Sequence, residues 1–427
     1  MDKKINVLIF PAGEQNSIEL HDALSGVVNI TVFGASSIER HGEFVFENYI
    51  NGLPMISDSN FIPVFNEILN KNKIDIIFPT HDDVITFFAE KKELIEAFII
   101  MGDKKTVDIC RHKKLISETF SDCNFNTITY ESRDDITDYP VFIKPDVGQG
   151  SVGAKKTESA KEIQAIDFDT NLISEYLPGK ELTIDCITDK NGNLKYVSPR
   201  SRERILAGIC VRGRNEPLTN EILDIAEKIN ERLFFLGAWN FQIKKDNHGK
   251  YKLLELSSKI ATSSCLTRAL GVNLPLLSVY TVLGYNIDIL KPKYNILMER
   301  ALISRYKIDY EYDTVYFDFD DTLIIKENVN LMAIRFLYQC KNKKKRIILL
   351  TKHESNLNTS MKAYCIDENL FNEIIHVDIN ACKANYINPS KSIFIDNSYK
   401  EREQVYNILD IPVFDVDGIE TLLDWKC

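Results

Sequence analysis

The sequence predicts an α/β protein with about two to three domains. The chain has 427 residues, which is enough for more than one core. Short apolar runs alternate with helical stretches over residues 1–105, and this is typical of a parallel sheet. The alternation starts afresh near residue 314, which predicts a second, smaller parallel sheet over residues 313–427.

Composition excludes several classes of protein. The net charge is −10, whereas binders of nucleic acid or of membrane surfaces need a basic excess, so neither is an expected partner. No apolar run approaches the roughly 18 residues of a membrane span. Nine cysteines without a C-x-x-C pair are typical of reduced thiols, and the N-terminus MDKKINVLIF is typical of a first strand instead of a signal peptide. We therefore expect a cytoplasmic protein.

The first region follows from buried strand patterns. INVLIF at residues 5–10, VNITVFG, and KIDIIFPT at residues 73–80 predict strands, and an amphipathic helix is expected over residues 16–24. A further helix is expected in CRHKKLISETFSDCNF. YPVFIKP at residues 139–145 then predicts a strand, and VGQGSVGAKK predicts a glycine-rich hairpin loop.

Strands and one long helix follow in the middle of the chain. Residues 171–189 predict two strands joined by a Pro-Gly turn, and residues 219–237 predict a helix. Residues 239–257 predict two antiparallel strands joined by the turn DNHG. Residues 291–312 are interpreted as a connector with some strand character.

A lysine precedes the glycine-rich loop. Lys144 ends the predicted strand just before Gly148, Gly150 and Gly153. Glycines let the backbone approach a ligand closely, successive amides cradle an anion, and a lysine adds a point charge for phosphate. The stretch therefore predicts a phosphate-binding loop.

Two oxygen-bearing residues follow on the predicted hairpin. Gln242 lies on one strand and Glu255 on its partner. Mg²⁺ prefers oxygen ligands and completes its coordination with substrate phosphates. Coming after a phosphate loop, the pair predicts a site for a magnesium nucleotide.

In this order, the motifs resemble an ATP-grasp ligase of the carbamoyl-phosphate-synthase-like branch. The resemblance implies a pre-ATP-grasp α/β domain over residues 1–105 and an ATP-grasp domain over residues 106–305. The latter would combine a lid, about 120–188, with a central α+β unit. ATP and Mg²⁺ are the implied cofactors.

The resemblance also implies positions that hold the nucleotide. They are Lys113 or Lys114 and Lys144 at the phosphates, Gly148, Gly150 and Ser151 in the loop, Glu175 with the backbone of Tyr176 and Leu177 beside adenine, and Glu181 at the ribose.

The metal motifs depart from the family pattern in part. NFQ resembles the family's N-x-Q, which implies Gln242 near a metal. ELSSK lies where the family has E-x-N-P-R, so Glu255 is retained, Ser257 replaces the asparagine and Lys259 replaces the arginine. Ser257 or a water would complete the metal site, and Lys259 would take the place of the cation that stabilises the transition state.

The implied mechanism is carboxylate activation. ATP phosphorylates a carboxylate to an acyl phosphate, and an amine then attacks it. The arginines of SPRSRER, with Arg212 and Arg214, are expected to clamp the acid substrate, because guanidinium binds carboxylates bidentately.

A second kind of phosphate chemistry is predicted downstream, in VYFDFDDTL at residues 315–323. Asp318 and Asp320 lie on the same side of a predicted strand, at its carboxyl end, where open parallel sheets bind ligands. Two close carboxylates repel each other unless a cation lies between them. The pair predicts Mg²⁺, a nucleophile and an acid/base.

With RIILLTKH and IFIDNSYKE, this stretch resembles the haloacid-dehalogenase-like (HAD) phosphatases over residues 313–427. The resemblance implies a small Rossmann-like domain. The implied roles are Asp318 as nucleophile, Asp320 as acid/base, Thr351 at a phosphoryl oxygen, Lys383 (preferred) or Lys391 as the phosphate lysine, and Asp396 with both other aspartates at Mg²⁺. Asn397 stands where the family often has a second acid, with Glu401 as a possible compensation. The stretch between Thr322 and Thr351 leaves no room for a cap domain.

The leading hypothesis is a bifunctional enzyme. The first half joins a small-molecule carboxylate to an amine, and the second removes a phosphate from the amine partner or the amide product. Amidated sugar acids in cell-surface polysaccharides fit this logic. The alternatives are an ATP-grasp small-molecule kinase with an editing phosphatase, and a ligand-sensing module without ligase turnover. The sequence does not determine the oligomeric state, and a homodimer is one alternative.

Overall fold

The computed structural model describes residues 4–38, 41–148, 150, 152–290 and 294–426. It consists of two compact units, Met1–Leu302 and Ile303–Cys427, and each is described by itself.

The first unit begins with a parallel sheet. Its elements are β1 (Ile5–Phe10), α1 (Gln15–Leu24), β2 (Ile30–Ala35), β3 (Asn48–Ile50), α2 (Phe61–Lys71), β4 (Ile76–Pro79), α3 (Asp82–Lys91) and β5 (Phe98–Ile99). The strand order is β3-β2-β1-β4-β5, and every pair is parallel, as predicted. Since side chains alternate along a strand, Val7 and Ile9 pack in one core and Leu8 and Phe10 in another.

Two helices follow where the sequence predicts one. α4 (Lys104–Arg111) ends at His112, whose extended backbone separates it from α5 (Lys113–Thr119). Asp146 holds this break: its carbonyl oxygen accepts the N–H of Lys113 at 3.2 Å, and its carboxylate lies 2.7 Å from Nδ1 of His112. The break depends on a residue far along the chain, which local helix propensity cannot reveal.

An antiparallel sheet follows, which we call the lid sheet. Its strands are β6 (Thr129–Tyr130), β7 (Val141–Pro145), β8 (Lys155–Thr157) and β9 (Asn171–Glu175). Their order is β6-β9-β7-β8, and Val141, Ile143 and Ile173 form the core. Residues 181–188, which the sequence analysis assigns to the lid, pair with strands of the next sheet instead.

The rest of the first unit contains two further antiparallel sheets. Its elements are β10 (Glu181–Thr188), β11 (Leu194–Ser201), β12 (Arg204–Leu206), β13 (Ile209–Arg214), α6 (Asn220–Arg232), β14 (Gly237–Lys245), β15 (Tyr251–Ser257), α7 (Cys265–Ala269), α8 (Leu274–Val282) and β16 (Leu297–Glu299). The central sheet has the order β11-β10-β14-β15, and a smaller sheet has the order β12-β13-β16. α6 packs Ile222, Ile225 and Ile229 on the central sheet, because their spacing puts them on one helix face. The predicted hairpin over residues 239–257 is confirmed.

The second unit is built on one parallel sheet, as predicted. Its elements are β17 (Thr314–Phe317), β18 (Ile324–Ile325), β19 (Asn328–Val329), α9 (Leu331–Asn342), β20 (Arg346–Thr351), α10 (Leu357–Ala363), β21 (Glu373–His376), β22 (Ser392–Ile395), α11 (Tyr399–Leu409) and β23 (Val413–Phe414). The order β21-β20-β17-β22-β23 puts β17 in the middle, and β18 and β19 form a separate hairpin. Val315 and Phe317 face one core and Tyr316 faces the other, so both faces of the sheet are covered.

Within the described ranges, no single helix is long and apolar enough to cross a membrane. One bent pair, Thr262–Ala269 with Leu274–Val282, meets the length and composition only when the two are taken together.

Candidate functional site

A cleft in the first unit is lined by residues of the lid sheet and the central sheet. Its cavity measures about 270 Å³. The predicted residues found in its lining are Lys113, Lys144, Gly148, Gly150, Glu175, Tyr176, Leu177, Glu181, Gln242 and Glu255. Ser151 lies outside the described residues. The fold thus brings together side chains that are far apart in the chain.

The structure distinguishes the two lysines that follow His112. Nζ of Lys113 donates to the carbonyl oxygens of Asp146 and Gly148, each at 3.2 Å, and its side chain lines the cleft. Nζ of Lys114 donates to the carbonyl oxygen of Asp169 at 2.9 Å, and this side chain is absent from the described lining. Of these two lysines, Lys113 is therefore the one that lines the cleft.

Lys144 is buried at the floor of the cleft. Its Nζ donates to the carbonyl oxygen of Leu254 at 2.8 Å. Burial lowers the pKa of Lys144 to about 8, and the attraction of Glu255 only partly opposes this. Because a carbonyl is a neutral partner, the ammonium charge is not cancelled and can act on a bound anion.

Two of the predicted carboxylates of the cleft, Glu175 and Glu181, have different partners. The carboxylate of Glu175 accepts the N–H of Ile128 at 2.9 Å. Glu181 lies 2.6 Å from Nε of Arg202 and 3.7 Å from Nζ of Lys244. Glu181 is therefore held at the cleft by two cations, and one of them belongs to the SPRSRER motif.

Gln242 and Glu255 join this cleft to a second cavity. They stand directly opposite each other on β14 and β15, and both line the two cavities. The second cavity measures about 180 Å³. Its other charged lining residues are Asp82, Arg111, Lys113, Arg202 and Lys259. Four cations against two carboxylates suit this cavity to an anionic substrate.

Both replacements in ELSSK lie at the second cavity. Lys259 forms an ion pair with Asp82, the first residue of α3. Burial favours the neutral form of Asp82, but Lys259 and then Arg111 outweigh it and lower the pKa of Asp82. Ser257 also lines the cavity, and its Oγ accepts the N–H of Lys259 at 3.4 Å.

Arg212 is a correction to the predicted clamp. It is not among the described residues that line either cavity. Its guanidinium lies 3.3 Å from Glu203 and 3.4 Å from Glu299, and its side chain is 44% exposed. The reason is the pairing of β13 with β16, which puts Glu299 opposite Arg212. The arginine of the motif that lines both cavities is Arg202.

The turn between β12 and β13 approaches the glycine-rich loop closely. Gly208 has a φ of +77°, and a Cβ at this position would lie 2.5 Å from the Cα of Gly150. Only a residue without a side chain permits this approach. Gly208 lines both cavities and was missed by the sequence analysis, although a glycine between two strand patterns is a turn signal.

The second unit contains a buried charge cluster beyond the ends of β17 and β22, which are neighbours in the sheet. Nζ of Lys383 lies 2.6 Å from Oδ1 of Asp318 and 2.6 Å from Oδ2 of Asp396. All three side chains are buried. Lys391, the alternative, is 59% exposed and lies 3.9 Å from Asp313. The structure therefore brings Lys383, not Lys391, to the predicted aspartates.

Burial governs how this cluster titrates. It raises the pKa of Asp318 to about 6, against the lowering effect of Lys383, and it also raises the pKa of Asp396. Burial alone would lower the pKa of Lys383, but the two carboxylates outweigh it and raise the pKa. Two carboxylates with one ammonium leave a deficit of positive charge, which suits a divalent cation.

Asp320 has a different partner. Its two carboxylate oxygens lie 2.9 and 3.0 Å from Nδ1 of His353, whose Nε2 lies 2.8 Å from Oγ of Ser360. Asp318, Asp320, His353 and Lys383 all line one cavity of about 450 Å³. The sequence analysis gave His353 no role, although it stands in the quoted TKH.

Two further predicted positions lie in or beside this cavity. Thr351 is fully buried, and its Oγ1 accepts the N–H of His353 at 3.2 Å. Oδ1 of Asn397 lies 3.3 Å from Oγ1 of Thr322. Thr351 is outside the described lining, whereas Asn397 belongs to it.

Neither metal position is complete from protein side chains alone. In the parts of the chain that the structure describes, no three His, Cys, Asp or Glu side chains are grouped to hold a metal. Gln242 and Glu255 offer two oxygens, and Asp318 with Asp396 offers carboxylates in the second unit. Mg²⁺ commonly takes its remaining ligands from phosphates and water, so both donor sets fit this ion. Glu401 also lines the second-unit cavity, where Lys352 holds it at 2.6 Å.

Known proteins match part of the chain. Residues 167–301 match the model of a family described as "ATP-grasp in the biosynthetic pathway with Ter operon". The carbamoyl phosphate synthase large chain of Thermoanaerobacter pseudethanolicus is 22% identical over 336 residues. The match covers 64% of this chain but only 30% of that relative, so the chain spans less than a third of its length.

Solved structures extend the likeness at the level of fold. One similar structure is the biotin carboxylase domain of Hydrogenobacter thermophilus 2-oxoglutarate carboxylase, which was solved with MgADP, ADP and bicarbonate. Its TM-score is 0.54 at 15% identity, and the match covers 68% of this chain and 72% of that one. The L-amino acid ligase of Bacillus licheniformis has a TM-score of 0.52 at 14% identity, covering 66% and 75%. About two thirds of the chain therefore has the mixed α/β ATP-grasp fold that the sequence predicts.

Proposed function

We propose that the first unit is an ATP-dependent ligase that joins a small-molecule carboxylate to an amine. The observation that carries this proposal is the junction of the two cavities at Gln242 and Glu255. A phosphoryl group passing from a nucleotide in the larger cavity to an acid in the smaller one would cross this pair. The ATP-grasp fold and the likeness to an amino acid ligase support the assignment.

ATP and Mg²⁺ would bind in the larger cavity. Lys113 and Lys144 face it with carbonyl partners, so their charge would act on the phosphates. The close approach of Gly208 to Gly150 forms a backbone wall beside them. Bound Mg²⁺ would supply further positive charge to the transferred phosphoryl group. A related structure was solved with MgADP, which supports this cofactor.

The smaller cavity would hold the acid. A carboxylate oxygen of the acid attacks the γ-phosphorus of ATP, the bond to ADP breaks, and an acyl phosphate forms. The amine then attacks the acyl carbon, and phosphate leaves. Arg202 and Lys259 line this cavity and would neutralise the charge of the acid and of the phosphoryl group. Ser257 would stand beside the metal ligands as a weak additional oxygen.

The second unit is proposed, on its geometry alone, to be a Mg²⁺-dependent phosphatase of the HAD type. Asp318 would be the nucleophile and Asp320 the acid/base. Lys383, which contacts both Asp318 and Asp396, would orient the nucleophile and neutralise phosphate. The carboxylates of Asp318 and Asp396 would hold the metal, which leaves the Asp320 carboxyl for proton transfer, and Thr351 would support the wall behind them.

The two activities would act in sequence: the ligase of residues 1–305 first, and the phosphatase of residues 313–427 second. A phosphate on the amine anchors it through charge-assisted hydrogen bonds and distinguishes it from other amines. The phosphate is no longer needed once the amide exists, and the phosphatase would remove it. That such amides belong to cell-surface polysaccharides stays a prediction.

The test is ADP formation by the Asp318→Asn variant, in which the phosphatase is silenced. Sugar-acid and amino-acid carboxylates are paired with amines that do or do not carry phosphate. We expect ADP only when an acid and a phosphorylated amine are both present, and phosphate release from the amide once Asp318 is restored. A matched Asp318→Asn/Glu255→Gln variant, which lacks a metal ligand of the first unit, should form no ADP.

The same assay separates the alternatives. ADP formed from an acceptor without any amine would replace the ligase with a kinase and an editing phosphatase. ATP binding by calorimetry without ADP formation on any pair would favour a ligand-sensing module.

A further inference from the structure

We infer that His353 is a positioning residue that holds Asp320 for proton transfer in phosphate ester hydrolysis. This inference rests on the phosphatase activity proposed for the second unit. Both hydrogen bonds described for the Asp320 carboxylate come from Nδ1 of His353, at 2.9 and 3.0 Å. The Asp320 side chain is 52% exposed, whereas that of His353 is 12% exposed. An exposed carboxylate is thus tied to a side chain that is itself almost enclosed.

His353 is fixed on several sides. Its Nε2 lies 2.8 Å from Oγ of Ser360, and its backbone N–H donates to Thr351 at 3.2 Å. Its carbonyl oxygen accepts from Nε2 of His376 at 2.6 Å. Its ring and that of Phe319 are nearly perpendicular, with centroids 5.2 Å apart and an interplanar angle of 72°. With so many restraints on the imidazole, a hydrogen bond to it restricts the rotation of Asp320 as well.

Each half-reaction needs Asp320 in one place. In the first, an oxygen of Asp318 attacks phosphorus, the bond to the leaving oxygen breaks, and the Asp320 carboxyl gives its proton to that oxygen. In the second, a water oxygen attacks phosphorus, its proton passes to Asp320, and the bond to Asp318 breaks. Proton donation matters most when the leaving oxygen is strongly basic, so the contribution of His353 should depend on the leaving group.

Two variants separate the hydrogen bond from the packing. His353→Phe keeps an aromatic ring against Phe319 but removes both nitrogens. His353→Asn keeps a donor near the position of Nδ1. The substrates are glycerol 2-phosphate, whose leaving alcohol is strongly basic, and 2,4-dinitrophenyl phosphate, whose leaving group needs no proton. The melting temperature of each variant controls for general loss of folding.

We expect His353→Phe to lower kcat/KM for glycerol 2-phosphate by about 100-fold and kcat/KM for the dinitrophenyl ester by less than about threefold, because kcat/KM reports the formation of the aspartyl phosphate, in which only the first ester requires the acid. His353→Asn should recover part of the loss. An equal loss with both esters, or no loss with either, would overturn the inference while leaving the phosphatase in place. A native protein that hydrolyses neither ester would overturn the proposed phosphatase and this inference together.

A second measurement tests the contact without activity. In protein labelled with ¹⁵N-histidine, we expect the Nδ1 resonance of His353 to move in the Asp320→Asn variant, because the hydrogen-bond acceptor changes from a carboxylate to an amide. The His353→Phe variant assigns the resonance. An Nδ1 resonance that is identical in native and Asp320→Asn protein would overturn the inference, whatever the ester assays give.

Discussion

The two candidate sites handle buried charge in opposite ways. In the cleft of the first unit, Lys113 and Lys144 donate to backbone carbonyl oxygens. In the second unit, one ammonium, that of Lys383, lies between the carboxylates of Asp318 and Asp396. The first arrangement solvates positive charge with neutral dipoles, and the second neutralises negative charge only in part.

This difference shows what each site is suited to receive. A carbonyl satisfies an ammonium without cancelling its charge, so the cleft keeps a positive field for phosphates. Two carboxylates with one ammonium keep a net negative charge, which a divalent cation can complete. The comparison predicts that the two lysines of the first site contact the phosphates of bound MgATP directly, whereas the second site contacts its phosphate substrate mainly through a metal.

The largest expected effect tests the carboxylate side of the comparison. Asp318→Asn should lower phosphate release from glycerol 2-phosphate at least about 1000-fold, because an amide cannot form the aspartyl phosphate. Phosphate release is measured with native protein as reference. ADP formation by the first unit should be unchanged in the same variant, and a phosphatase rate near the native one would contradict the assignment.

A smaller effect is expected when the buried ammonium of the cleft is removed. Lys144→Ala should weaken ATP binding by about 10- to 100-fold, since hydrogen bonds to charged groups contribute about 1.5–3 kcal/mol. Isothermal titration calorimetry measures the affinity. The exposed Lys155→Ala, on β8 outside the described cleft lining, is the control and should bind ATP as the native protein does.

The pH dependence of ATP binding sharpens this prediction. The pKa of Lys144 is lowered to about 8, so the ammonium loses its proton as pH rises through that value. ATP affinity should therefore fall between pH 7 and pH 9 in native protein, because bound phosphate favours the charged form, and by at most about tenfold, because pH 9 is only one unit above this pKa. Lys144→Arg stays charged and should show a flatter profile, and equal slopes for both proteins would contradict the role of Lys144.

The wall of the cleft offers a matched pair of glycines. Gly208 and Gly249 have the same φ of +77°, but a Cβ at Gly208 would collide with Gly150, whereas one at Gly249 has nothing within 4 Å. Gly249→Ala should lose about 1 kcal/mol of stability from backbone strain, and Gly208→Ala should lose more because its Cβ would also collide with Gly150. Only Gly208→Ala should also weaken ATP binding, by about tenfold, which corresponds to about 1.4 kcal/mol. Equal ATP affinities in the two variants would show that Gly208 does not contribute to the nucleotide site.

The smallest effect is expected at the arginine that the sequence favoured. Arg212→Ala should change the KM of the acid substrate less than about twofold, because its ion pairs with Glu203 and Glu299 are exposed. Arg202→Ala should raise that KM about tenfold, since Arg202 lines both cavities. Initial rates of ADP formation measure both KM values. A larger rise in Arg212→Ala than in Arg202→Ala would show that Arg212 binds the acid substrate.

Much of the fold could be predicted because its signals are local. The strand at residues 5–10 and the hairpin over residues 239–257 follow from apolar runs and turn residues, and the structure confirms both. The break at His112 was missed, because it depends on contacts with Asp146 rather than on the helix sequence. The strand character expected within residues 291–312 is confirmed as β16, but the small sheet β12-β13-β16 was not predicted, since β16 is far along the chain from its partner.

The sequence by itself determined the chemical types at each site. A lysine before a glycine-rich loop and two aspartates spaced one residue apart after a buried strand are contiguous patterns, so they could be read directly. Tertiary structure alone decided which candidates meet: Lys113 and not Lys114 at the cleft, Lys383 and not Lys391 at the aspartates, and His353 against Asp320. These choices depend on strand pairing and on distances between residues far apart in the chain. Charge and hydrogen bonding act across space, so only the packed fold determines which of several similar side chains they reach.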